Sequence, residues 1–191
     1  MIKFLTIKRF PLFVLLIGLP VDVQFVILGF VTASKNPSVV AVFIPLIIIL
    51  FLGLFSGWLY TLATHLHRKL PPTAKMNLGR FKLFLSIPLL YVILLWIFIL
   101  GMFSDMSTTG QPDAIIVAIA IPLNVFVIFC LFYCLHFTAK ALKTVEGERP
   151  VTSFGDFSQE FFLLWLFPVG LWVIQPRINQ LFDPRVDKSN F

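Results

Sequence analysis

The chain has 191 residues, of which 59% are hydrophobic and 13% are charged, and its formal net charge is +6. A soluble domain carries about 25% charged residues. Apolar runs as long as these need lipid as their solvent, so the composition excludes a soluble globular protein. The basic residues stand beside the apolar runs, where they orient membrane proteins, and we expect no nucleic-acid partner. The sequence predicts an all-α membrane protein with a single domain over residues 1–191.

The main elements are four apolar stretches, each long enough to cross about 30 Å of hydrocarbon at about 1.5 Å per residue. They cover residues 11–33, 39–62, 83–104 and 114–137, and they predict a bundle of four transmembrane helices. Each stretch has a proline in its interior, namely Pro20, Pro45, Pro88 and Pro122. Proline is common in membrane helices, although broken helices also surround the substrate site of some transporters.

A fifth apolar stretch, 161–174, has only 14 residues and contains Pro168 and Gly170. This length favours a re-entrant or interfacial segment over a full crossing. Asp156, followed by Gln159 three residues later, has the pattern of a helix N-cap. We therefore expect a helix to begin at this acid, in the headgroup region.

Lys and Arg alternate between the two sides of the predicted bundle. Three segments are basic, namely the N-terminal residues with Lys3, Lys8 and Arg9, the loop 63–82 and the loop 138–160. The two segments on the other side carry little positive charge, because the turn 105–113 has no basic residue and the turn 34–38 has only Lys35. Because cytoplasmic loops carry the excess of Lys and Arg, we expect a cytoplasmic N-terminus. If 161–174 turns back, the tail with Arg177, Arg185 and Lys188 is cytoplasmic as well.

The loop 63–82 and the fifth stretch are the candidate contacts with the bilayer. The loop carries five Lys or Arg residues, which orient the chain and are expected to meet anionic headgroups; a soluble partner is the alternative. Trp165 and Trp172 are predicted to anchor the fifth stretch at the membrane interface. Its aromatic face is alternatively a contact with another membrane subunit.

Asp22 is the most informative single residue, because it falls near the middle of the first stretch with Gln24 close by. A charged Asp at the centre of a bilayer costs about 2.5–3.5 kcal/mol on insertion scales, so we expect it inside the bundle. Asn124, at similar depth in the fourth stretch, is the expected hydrogen-bond partner. Asp22 is then either a proton or cation site, or a protonated side chain that joins two helices.

Gly53 and Gly57 form a G-x-x-x-G pattern in the second stretch. Small residues four apart give a flat strip on one helix face, against which a second backbone packs closely. We expect the strip to pack inside the bundle, and dimerisation through it is the alternative.

Three histidines and two cysteines lie near one membrane face. His65 and His67 follow the second stretch, His136 ends the fourth, and Cys130 and Cys134 lie just before it. His65 with His136 is a conceivable metal or haem pair, but no Asp, Glu or second ligand pair accompanies them. The sequence also lacks H-E-x-x-H, G-x-S-x-G and Walker A patterns. We therefore expect no cofactor and no metal, and the sequence shows no catalytic motif that would indicate an enzyme.

The segment from Glu160 to Trp165 and the segment from Pro168 to Asn179, with Lys75-Met76-Asn77 and Arg80-Phe81-Lys82, resemble a group of small bacterial multi-span integral membrane proteins. The resemblance implies a bacterial inner-membrane location and a C-terminal segment that acts as a unit, and it implies no activity. We expect a non-enzymatic accessory or scaffold protein that binds other membrane components. The alternative is a small proton- or cation-coupled transporter or channel that uses Asp22.

Overall fold

A computed structural model describes residues 9–34, 38–109, 114–151 and 153–182. Every regular element in these ranges is a helix. Helix α1 runs through Arg9–Phe13, the π-helical turn Val14–Gly18 and Leu19–Ser34; the others are α2 (Ser38–Arg68), α3 (Leu78–Thr109), α4 (Ala114–Gly147), α5 (Phe154–Trp165) and α6 (Phe167–Phe182). The basic residues Lys3, Lys8, Lys35, Arg185 and Lys188 lie outside the described residues.

Helices α1 to α4 each contain a stretch long and apolar enough to cross a membrane. The predicted all-α membrane fold, with four spans and a bent C-terminal segment, is therefore confirmed. Two helices continue past the predicted spans at the charged end, to Arg68 in α2 and to Gly147 in α4. Because α4 has 34 residues, it is about 50 Å long and projects beyond about 30 Å of hydrocarbon.

Helix α1 stays continuous at Pro20, and its backbone adjusts just before the proline. Proline has no backbone N–H and crowds the carbonyl four residues earlier, which here belongs to Leu16. The turn Val14–Gly18 takes the wider π-helical form, in which the Leu19 amide donates to the Val14 carbonyl. A π turn beside a proline is a common way to absorb such a clash.

Helices α5 and α6 form a re-entrant pair, since the chain direction changes by 119° between them at Leu166. Helix α5 begins beside α4, where the rings of Phe154 and His136 stack at 6.3 Å. Helix α6 ends beside α2, where the Lys69 ammonium donates to the Leu181 carbonyl and lies 4.7 Å from the centre of the Phe182 ring. Both ends of the pair therefore lie at the charged end of the bundle.

The tip of the pair reaches into the bundle. The Phe167 ring lies 4.7 Å from the ring of Phe55 and 5.5 Å from that of Trp58, both in α2. Trp58 precedes the end of α2 at Arg68 by ten residues, or about 15 Å of helix. The chain therefore bends sharply within the fifth apolar stretch, and whether this stretch crosses the membrane stays a prediction.

Helix α5 begins at Phe154, before the expected cap at Asp156. That prediction of the helix start was wrong because Ser153 occupies the N-cap position.

One apolar core lies at the charged end of the bundle and draws on all six helices. Its members include Leu12, Trp58, Phe81, Leu135, Phe157 and Ile174. Toward the opposite end, many described apolar side chains are exposed on the surface, among them Phe25, Val26, Ile93, Leu94, Ile119 and Ile121. The re-entrant pair thus supplies the packing that closes the charged end, while the other end presents apolar surface to its surroundings.

Candidate functional site

The two helices of the re-entrant pair each bury one face against the spans. In α5 the buried residues are Phe157, Glu160 and Leu164, which are spaced three and four apart and so lie on one helix face. In α6, Leu171, Ile174 and Ile178 repeat the same spacing and are fully buried. Glu160 is the exception in chemistry, because it is a carboxylate on an otherwise apolar buried face.

Gly170 sets how closely α6 approaches α5. A Cβ atom at this position would lie 1.6 Å from the Leu163 carbonyl oxygen, which is part of the α5 backbone. No side chain fits in that space, so only glycine allows the pair to fold at this angle. Gly170 is therefore a close-packing position between two helices.

Four charged side chains join α4, α5 and α6 in one network. The Arg177 guanidinium donates through Nε to Glu146 Oε1 at 2.9 Å and through Nη2 to both Glu146 Oε2 and Glu160 Oε1, the latter at 2.7 Å. The Lys143 ammonium donates to the same Glu160 oxygen at 3.2 Å. Two cations face two carboxylates, so the network is neutral as a whole.

Glu160 is the centre of this network, with only 1% of its side chain exposed. Burial alone would raise its pKa, but the hydrogen bonds from Arg177 and Lys143 outweigh burial and hold the pKa of this carboxyl below its usual value. Its second oxygen, Oε2, is buried and has no hydrogen-bond partner among the described residues. A buried carboxylate of this kind needs its cations, since an unpaired buried charge is costly.

The network contains two carboxylates, a guanidinium and an ammonium. Its ion pairs hold α4, α5 and α6 together. No protein-family model, curated protein or solved structure matches this chain. Two members of the network, Glu160 and Arg177, fall within the C-terminal segment that carries the resemblance to bacterial membrane proteins. Membership of that group stays a prediction.

The expected pairing of Asp22 with Asn124 inside the bundle was wrong. Asp22 and Gln24 are both exposed on the surface of α1, and Asn124 is exposed on α4. The Asn124 amide donates to the Ala120 carbonyl of its own helix at 2.9 Å. Residue depth can be read from a sequence, but the direction in which a side chain points cannot when the helix is apolar on every side, as α1 is.

The expected packing of Gly53 and Gly57 inside the bundle was also wrong. Both glycines are exposed, and a Cβ atom added to either would meet no atom within 4 Å. The neighbouring residue Ser56 is buried instead, so the opposite face of α2 packs on the core. Contact of this strip with a second protein stays a prediction.

The histidines and cysteines belong to separate contacts. His65 donates to the Thr61 carbonyl at 2.8 Å and lies against the Phe182 ring. His136 packs on Phe154 and Phe157 of α5. Among the described residues, no group of three or more His, Cys, Asp or Glu side chains is placed to hold a metal ion.

The two predicted aromatic anchors lie at different heights. Trp165 is 52% exposed and contacts Phe132 at the tip of the pair, with ring centres 6.0 Å apart. Trp172 is less exposed and contacts Phe13 near the start of α1, at 5.5 Å. Trp172 therefore lies closer to the charged end than Trp165, and the anchoring role of both stays a prediction.

Sequence reasoning missed the ion network, although its signal was present. Lys143 and Glu146 are three residues apart and so share a helix face, just past the fourth predicted span. Glu160 directly precedes the aromatic run of the fifth stretch, and Arg177 follows that stretch. A carboxylate next to an apolar run of this kind needs a cation nearby, and this rule would have placed Arg177 among the candidate partners.

Proposed function

We propose that this chain is a non-enzymatic accessory or scaffold protein of the bacterial inner membrane, with a cytoplasmic N-terminus. It binds another membrane-embedded protein through the outward face of α1. One observation carries the proposal: Asp22 lies midway along the 24-residue apolar span Phe10–Ala33 and is exposed on the surface of α1.

A carboxyl that faces lipid at this depth is costly, by about 2.5–3.5 kcal/mol for the charged form. A polar or basic group of a second membrane protein would remove that cost by hydrogen bonding to Asp22. Gln24 is exposed on the same helix and offers a further amide for such a contact. The exposed position of Asp22 does not support the alternative of a transporter or channel, because Asp22 does not line the interior of the bundle.

The test is site-specific photo-cross-linking in native membranes. A photoreactive residue replaces Phe25, which is 68% exposed and three residues from Asp22, and a second replaces Phe129 on α4 as the control position. We expect one discrete protein adduct from position 25, which Asp22→Leu abolishes and the charge-preserving Asp22→Glu retains. Adducts with lipid alone at position 25, or a protein adduct that Asp22→Leu leaves intact, would contradict the proposal.

A second measurement separates the two functional classes. Vesicles that contain the purified wild-type protein or Asp22→Asn are tested for proton- and Na⁺-driven flux. An accessory protein supports no flux in either form. Flux that the wild type supports and Asp22→Asn loses would favour the transporter and would contradict the accessory role.

A further inference from the structure

A cavity of about 240 Å³ lies between the start of α3 and the charged end of α4. Its walls are formed by Lys75, Met76, Asn77, Arg80, Tyr133, His136, Phe137 and Lys140. Three of these side chains are cationic and none is acidic. In the part of the chain that the structure describes, none of the three cations is in a salt bridge.

The cavity is held in shape by contacts that leave its cations free. His67 of α2 donates to the Met76 carbonyl at 3.0 Å and fixes the segment that carries Lys75. Asn77 caps α3 by accepting the Arg80 amide at 3.1 Å. This places the positive end of the α3 dipole at the cavity wall, which adds to the attraction for an anion.

A second, smaller cavity of about 160 Å³ adjoins the first through their shared lining residues, Lys75, Met76 and Lys140. It is also lined by Thr144, whose side chain is 1% exposed. The Thr144 hydroxyl has no hydrogen-bond partner among the described residues. A buried hydroxyl costs free energy unless it is satisfied, so this observation points independently to a polar occupant.

The surface beside the cavity matches a lipid rather than a soluble anion. Lys140, His136 and Tyr133 lie at helical spacing on one face of α4, and that face continues to Phe129 and Val125. Phe129 and Val125 are about 60% exposed. On α3, Phe84 lies one turn after Arg80 and contacts both Tyr133, at 4.5 Å, and Phe129, at 6.4 Å. Polar groups at one end and an apolar track below them are the two parts of a phospholipid site.

We propose that this cavity binds the phosphate-bearing headgroup of an anionic phospholipid from the leaflet at the charged end of the bundle. Lys75, Arg80 and Lys140 pair with the phosphate oxygens, and an acyl chain lies along Phe129 and Val125. The volume equals about eight waters at about 30 Å³ each, which accommodates a headgroup but not a whole lipid. The site lies on α3 and α4 and is independent of the proposed contact through α1.

The experiment is native mass spectrometry of the purified full-length protein with added phosphatidylglycerol or phosphatidylcholine. We expect the wild type to retain phosphatidylglycerol at least fivefold more than phosphatidylcholine. Arg80→Gln and Lys140→Gln should each lower that ratio by at least threefold. Arg80→Lys and Lys140→Arg, which keep the charge, should retain it. Arg68→Gln is the matched control, because Arg68 is exposed at the same end of the bundle but lines neither cavity.

Three outcomes would overturn the proposal. The first is equal retention of both lipids by the wild type. The second is an equal loss in Arg68→Gln, which would indicate general attraction by the basic surface. The third is displacement of phosphatidylglycerol by millimolar inorganic phosphate with no effect of Phe129→Ala, which would identify a site for free phosphate. Melting temperatures of all variants, measured in detergent, identify any that fail to fold, and the charge-keeping pair then decides the result.

Discussion

The Arg177 Nη2 atom lies 2.7 Å from Glu160 Oε1, and the same guanidinium also binds both oxygens of Glu146. One side chain of α6 thus ties together carboxylates on α4 and α5. Lys143 reaches only one of these carboxylates, and 38% of its side chain is exposed. The two cations of the network therefore contribute unequally to stability.

We predict that Arg177→Gln lowers the free energy of unfolding by about 3 kcal/mol, because it leaves the buried Glu160 without its main partner. Lys143→Gln should cost less than about 1 kcal/mol, since a partly exposed lysine gains little from its ion pair. Equilibrium unfolding in mixed micelles measures both values. Arg149→Gln, an exposed cation outside the network, is the control and should change little. Equal effects of Arg177→Gln and Lys143→Gln would contradict the unequal roles.

We predict that the protein loses stability in acid through Glu160. Its pKa in the folded protein lies below the ordinary value of 4.5. The stabilisation by the charged form is therefore fully present above about pH 4.5 and is lost as the pH falls through the lowered folded-state pKa. Melting temperatures between pH 7 and pH 3 should fall less steeply in Glu160→Gln than in the wild type. Asp156→Asn, on the exposed side of the same helix, should keep the wild-type slope.

We predict opposite effects of alanine at two glycines. Gly170→Ala forces a methyl group onto the Leu163 carbonyl and should destabilise the protein by about 3 kcal/mol or more, as overpacking against a backbone does. Gly57→Ala meets open space and should be neutral or stabilising by up to about 1 kcal/mol, because alanine is the better helix former. The free energy of unfolding of the monomer is the measurement. A destabilised Gly57→Ala monomer would restore the interpretation of G-x-x-x-G as an internal packing strip.

We predict that Thr73 and Gln180 are accessible from the same side of the membrane and Thr108 from the other. Single cysteines at these positions are labelled with a membrane-impermeant maleimide in intact cells and in inverted vesicles. Cys130 and Cys134 are fully buried and should give a low background. Labelling of position 180 from the side of position 108 would mean that α5 and α6 form a fifth crossing.

Hydropathy predicted the four spans because lipid imposes both a length and an apolar composition on every crossing helix. The length of 161–174 also predicted that this stretch does not cross, which the labelling experiment tests. The break near Leu166 has a signal in the sequence, because Pro168 cannot continue a helix. The angle between α5 and α6 was not predictable, because it depends on the contact between Gly170 and the Leu163 backbone, and a sequence gives no distances. The outward position of Asp22 was missed for a related reason. An insertion cost indicates that a carboxyl needs a partner, but it does not say whether that partner belongs to the same chain.

The place of the re-entrant pair in the core has a consequence for biogenesis. Helices α1 to α4 precede residues 154–182 in the chain, so these spans leave the ribosome before the re-entrant pair does. Trp58 and Leu12 lie in the same buried core as residues of α5 and α6. Both side chains stay partly exposed until α5 and α6 pack against them. Until then the bundle is a partially folded intermediate with part of its core exposed, and such intermediates are prone to aggregation. A chain truncated before residue 154 would therefore keep all four spans and yet leave part of its core uncovered, as a destabilised substrate for quality-control proteases.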